Sequence, residues 1–131
     1  MTDYRFVLPG VLPGMNEVTN ANRTHWAAGA KQKRTLTEGI AWVLREQARH
    51  MTGQIGLADY TFTWYERNRK RDPDNIASAT KYVMDALQAA GIIANDGWRN
   101  VRSISHRYAV DKDNPRVEIN IQEIENEGGS T

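Results

Sequence analysis

Apolar positions recur along this chain with two different periods, and the period sets the element. From Tyr4, "YRFVLPG" reads as a short strand ended by Pro9 and Gly10. Residues 9–25 hold two Pro-Gly pairs and "MNEVTNANRTH", which predicts a loop. From Trp26 to His50 the pattern is helical, with Ile40, Val43, Leu44 and Ala48 on one stripe and Gly53 and Gly56 beyond the end. "LADYTFTWYE", 57–66, is rich in aromatics and threonine and predicts a strand. The clearest helix runs from Ile76 to Ala90, with Ile76, Ala79, Val83, Leu87 and Ala90 on one stripe and Gly91 as its stop. A strand is expected near Val101–Val110, then a turn at "DKDNP", then an alternating strand Arg116–Ile124.

The order β-α-β-α-β-β predicts an α+β fold: a single mixed sheet of about four strands with two helices packed on it. The last two strands, joined by a short turn, are expected to pair antiparallel. Residues 1–124 are read as a single domain, and the tail 125–131, "ENEGGST", as disordered.

Composition narrows the chemistry. The 131 residues include no cysteine, so disulfides and thiolate metal sites are excluded. "MTDYRFVLPG" lacks the basic n-region and long apolar stretch of a signal peptide, and no apolar run approaches a membrane span. A cytoplasmic protein is expected. Net charge is +1, yet residues 111–131 carry six acids and two bases, leaving fifteen bases and ten acids before them. That asymmetry hints at a polyanionic partner, although a solvated surface with an acidic tail explains it too.

The acids of "RDPDNIASATKYVMDALQAAGIIANDGW", 71–98, pose the chemical question. An EF-hand loop opening at Asp72 would need glycine at position six and glutamate at twelve, where Ala77 and Val83 stand. Asp74 or Asn75 could cap the following helix. Alternatively, Asp72 and Asp74, two residues apart on an extended segment, point to one side and could share a hard divalent ion. Asp96, just after the helix, is the candidate third carboxylate. Asp74, Lys81 and Asp85 fall within about 20° of one line on a continuous helix. Lys81 could reach toward the acids or simply pair with Asp85 at i,i+4. Arg67, Arg69, Lys70 and Arg71 precede the acids, Arg99 and Arg102 follow them, and Arg23, Lys31, Lys33 and Arg34 form another cluster. Carboxylates flanked by cations suit a phosphodiester substrate, with the metal obligatory because bare carboxylates would repel it.

On these residues the chain resembles the RusA family of Holliday-junction endonucleases. The matching stretch is 71–98, supported by "LPGVLPGMN" after the first strand. The resemblance implies a homodimeric, Mg²⁺-dependent enzyme (Mn²⁺ is expected to substitute) that cuts four-way DNA junctions by paired nicks in recombination and repair, often encoded by phages and prophages. It implies Asp72, Asp74 and Asp96 as metal-binding catalytic carboxylates and Lys81 as the functional lysine. DNA contacts are expected from Arg67, Arg69, Lys70, Arg71, Arg99, Lys31, Lys33 and Arg34, with Asn75 and Asn16 supporting the site. Two departures stand out. Lys81 lies nearly one helical turn further from Asp74 than in the shortest members, and the acidic pair expected before the third strand reads Asn95-Asp96. The competing readings are a branched-DNA-binding module without catalysis and a phosphodiesterase acting on RNA or small nucleotides. His25, His50 and His106 are read as structural or surface groups, Trp26, Trp42 and Trp64 as core, and Trp98 as a candidate DNA contact.

Overall fold

A computed structural model describes residues 2–17 and 26–124, and for 26–33 the backbone alone. Strand β1 spans Thr2–Pro9, helix α1 Trp26–Gln47, strand β2 Ala58–Glu66, helices α2 Pro73–Ala77 and α3 Thr80–Ala89, strand β3 Val101–Val110, and strand β4 Arg116–Glu123. The strands form one open mixed sheet in the order β1-β4-β2-β3, so the α+β expectation holds. The tail at 125–131 lies outside the described residues.

Alternation along β2 is strict, every second residue being buried, and it orients the sheet. Tyr60, Phe62 and Trp64 face the helices together with Phe6 and Leu8 of β1 and Val117, Ile119 and Ile121 of β4. Opposite them sit Ile40 and Leu44 of α1 and Val83 and Leu87 of α3. Each such side chain contributes roughly 1.5–3 kcal/mol when fully buried. Of the tryptophans read as core, Trp64 is buried, Trp42 is 63% exposed, and the side chain of Trp26 lies outside the described residues. Trp42 is exposed because the inward stripe of α1 runs through Ile40 and Leu44.

Two expectations need correction. The last two strands do not pair. β4 is antiparallel to both β1 and β2, while β3 pairs with β2 alone, in parallel. The alternating apolar set of β4 needs a central place, whereas β3 carries mainly exposed residues and takes an edge. Residues 111–115 cross the end of β2, where the Asp111 N–H donates to the Glu66 carbonyl at 2.8 Å. Two strand spacings are about 9–10 Å, within the reach of five extended residues.

The helix expected over Ile76–Ala90 is broken into α2 and α3. Ser78 Oγ donates to the Asn75 carbonyl at 2.5 Å, and Thr80 Oγ1 donates to the Ala77 carbonyl at 2.6 Å. These hydroxyls compete for helix acceptors, and the backbone tightens to i−3 bonds, Ala79 to Ile76 and Tyr82 to Ala79. No helix among the described residues is long and apolar enough to cross a membrane.

Candidate functional site

The chain leaves β2 at Glu66 and reaches α2 through residues 67–72. Pro73 sits in the first turn of α2, where its missing N–H costs nothing. Asp72, rather than Asp74 or Asn75, occupies the N-cap position, yet its side chain makes no capping bond. Its carboxylate is exposed, as is that of Asp74, whose Oδ1 accepts the Asn75 N–H at 2.9 Å. Among the described residues neither acid is in an ion pair.

A buried clamp holds this turn in place. Glu66 ends β2 on the core-facing side and is only 8% exposed. Arg71 donates to it twice, at 3.0 and 2.9 Å, to Glu17 Oε1 at 2.6 Å, and to the Leu12 carbonyl. Asn75 Nδ2 donates to Glu17 Oε2 at 3.0 Å, and Asn75 Oδ1 accepts the Asn16 N–H at 3.0 Å. Burial alone would raise the Glu17 carboxyl. Hydrogen bonds from Asn75, Arg71 and the Gly14 N–H outweigh it and hold the group down at about 2. Arg71 is therefore committed to binding the N-terminal loop against α2, and this corrects its expected role in contacting DNA. Asn75 fastens that loop through its side chain, while Asn16 contributes only its backbone N–H.

Asp96 approaches from the other side of the crossover. Residues 91–100 are anchored by buried Ile92 and Ile93 and by Asn100, whose Nδ2 donates to the Ile55 and Gly56 carbonyls. Between these anchors Asn95–Arg99 form an exposed loop, with Asn95 Oδ1 accepting the Gly97 N–H at 2.6 Å. Lys81 Nζ lies 3.0 Å from Asp85 and 3.7 Å from Asp96. Its ammonium is stabilised first by the hydrogen bond to Asp85, then more weakly by Asp96, so its pKa is raised. Both sequence readings of Lys81 are thus realised at once. Asp72, Asp74 and Asp96 do not form a three-acid cluster: no group of three acidic or imidazole side chains able to hold an ion occurs among the described residues.

Arg34, Arg67, Arg69, Lys70 and Arg99 are exposed, while the side chains of Lys31 and Lys33 lie outside the described residues. Arg102 is held by Asp59 through two bonds. Trp98 is 95% exposed beside Asp96. His106 is half-buried and accepts the Trp64 indole N–H at 3.0 Å, His50 is on the surface, and His25 lies outside the described residues.

Sequence reasoning missed Glu66, Glu17 and Tyr108. Glu66 was detectable as an acid in phase with the buried positions of β2, five residues before an arginine. Tyr108 lies two residues from His106 on the core-facing side of β3, and its phenol is raised by burial and then by the charge of Asp74. Glu17 was missed because its side-chain partners, Arg71 and Asn75, are more than fifty residues away.

Fold and candidate site together make a small α+β domain with exposed acids and flanking cations beside its β2–β3 crossover, an arrangement compatible with a phosphodiester substrate. The chain belongs to the family of the endodeoxyribonuclease RusA, whose model matches residues 16–122 of its 131. No curated protein matches it.

Proposed function

We propose that this protein is a divalent-metal-dependent endodeoxyribonuclease that resolves four-way DNA junctions by paired nicks, serving recombination or repair. Family membership supports the nuclease chemistry. The observation that carries the site is Asp72 at an N-cap position without a capping bond, next to exposed Asp74. Both carboxylates are open to a ligand. Asp74 stands in the first turn of α2 rather than on an extended segment with Asp72, so a magnesium-type ion, which takes one or two carboxylates and completes its shell with water and substrate phosphate, would be held by one of these acids or by both. Asp96, 3.7 Å from Lys81 Nζ, would be the third ligand. When bound, such an ion supplies charge against the phosphate oxygens and acidifies a water.

The remaining steps belong to the chain. Asp72 and Asp74 would hold the ion, and the Arg71–Glu17–Asn75 clamp fixes the turn that carries them. Lys81, paired with Asp85 and close to Asp96, would offset negative charge developing on a phosphate brought to these acids. Arg67, Arg69, Lys70, Arg99 and Arg34 contact the backbone of the DNA. A junction has two-fold symmetry, so a two-fold dimer with one site per protomer matches two symmetric cuts. Light scattering of the protein alone should give twice 14.9 kDa.

The test is incubation with a synthetic four-way junction and, separately, its linear duplex arms, in Mg²⁺ or Mn²⁺ and in EDTA. Symmetric nicks confined to the junction and abolished by EDTA are expected. Preferential cutting of RNA or of linear duplex would contradict the substrate assignment.

A further inference from the structure

Beside the acids lies a cavity that shares Asp72 and Arg69 with the proposed chemistry but whose apolar walls that chemistry does not use. It has a volume of about 290 Å³ and opens between the α2 turn and the end of β3. Ile76, Pro73 and Val110 give it apolar walls, Tyr108 an aromatic one, and Arg69 and Asp72 a charged rim. The volume sits at the lower end of the range for small-ligand sites, roughly 300–1,000 Å³. That suits one planar ring system and is too small for a base pair. Tyr108 is 43% exposed, so one side of its ring is open. It is aligned with His106 at a centroid distance of 6.4 Å and 23° between planes, and His106 is itself fixed by Trp64. The ring is therefore a rigid platform with an open side.

Resting on the nuclease reading, we propose that this cavity receives one unstacked nucleobase from the strand whose phosphate lies at Asp72 and Asp74. Asp72 belongs to both sites, so a base held here is within a nucleotide or two of the cleaved bond. Tyr108 supplies the stacking face, Ile76 and Val110 the apolar enclosure, and Arg69 a contact to the attached phosphate. Stacking of this kind is worth an order of magnitude or so in affinity per base. Bases near a branch point leave the helix stack at lower cost than bases within a duplex. The pocket thereby favours junctions over linear DNA and can impose a base preference near the cut.

The experiment couples a protein change to a DNA change. Junctions are made with a single abasic nucleotide at each position around the cleaved bond, and their affinities are measured with Asp74→Asn protein, which holds DNA uncut. One abasic position is expected to weaken binding about tenfold. Adding Tyr108→Leu should weaken the intact junction by a similar factor and cause no further loss on that abasic junction, while Tyr108→Phe stays unchanged. Val110→Phe, which fills the cavity from its wall, should reproduce the loss in a protein whose aromatic row is intact. Losses that multiply at every position, or none with Tyr108→Leu and Val110→Phe, overturn the pocket. Cleavage by the native protein is followed in parallel. If it cuts junctions while the coupling is absent, only the pocket fails. If it cuts nothing in any metal, the nuclease reading fails and takes this inference with it.

Discussion

At the scale of single residues, two polar groups behave oppositely. Tyr60 stands in the middle of the core with its hydroxyl unpartnered among the described residues, and burial pushes its phenol up to about 12. An unsatisfied buried hydroxyl costs roughly 1–3 kcal/mol. Tyr60→Phe is therefore expected to leave stability unchanged or raise it by about 1 kcal/mol, read from urea midpoints at constant slope. A comparable loss would mean that the hydroxyl has a partner in solution. Glu17 is the satisfied case. Its carboxyl is lowered from 4.5 to about 2, so its bonds stabilise the fold fully above pH 4.5 and cease to as pH falls toward 2. Native protein should melt above Glu17→Gln at neutral pH, and the gap should close between pH 4.5 and 2. A constant gap would show that the carboxylate charge is irrelevant to the clamp. Neither residue could be judged from sequence. The tyrosine sits correctly in the strand alternation, and the partners of the glutamate are visible only after folding.

Elements were more legible than residues, and the limits are instructive. Strands β2, β3 and β4 follow from alternation and β-branched or aromatic content, and their bounds agree within a residue or two. The split between α2 and α3 was hidden because Ser78 and Thr80 fall outside the apolar stripe and leave its period unbroken. Their hydroxyls act through local backbone bonds that periodicity does not register. Pairing was hidden for another reason: a short turn between β3 and β4 signals a hairpin, and only the competition for central positions sends them to either side of β2. The loop after β1 docks on α2 at Gly14, where an added Cβ would overlap the Asn75 carbonyl oxygen. Gly14→Ala must displace backbone on one side, and overpacking of this kind costs about 1–3 kcal/mol. Thermal unfolding should show that loss together with reduced nuclease activity, since the same contact steadies the turn bearing Asp72 and Asp74. Native stability in Gly14→Ala would mean that the loop is not held against α2.

For the whole molecule, uneven charge matters more than the net value of +1. Exposed Arg67, Arg69 and Lys70 lie just before the acids, while Arg71 is consumed by the clamp. This distinction was not available from "RNRKR" as a string, where four cations look equivalent. It predicts that Lys70→Ala weakens DNA binding across all sequences and lowers the slope of log affinity against log salt by about 1. Binding titrations at several salt concentrations check it, and an unchanged slope would remove Lys70 from the interface. The candidate acids were legible as a motif, but their arrangement was not. Asp96 rests on Lys81 at 3.7 Å, so the site is poised rather than assembled. The central claim is that Asp72 and Asp74 make this chain a nuclease, and one comparison tests it directly. Native protein and Asp74→Asn are assayed on the same four-way junction in Mg²⁺, for cleavage and for binding. The account predicts paired nicks by the native protein, and no nicks but equal or tighter binding by the variant. Cleavage by Asp74→Asn at the native rate, or tight binding with no cleavage by either protein in Mg²⁺ or Mn²⁺, would contradict it.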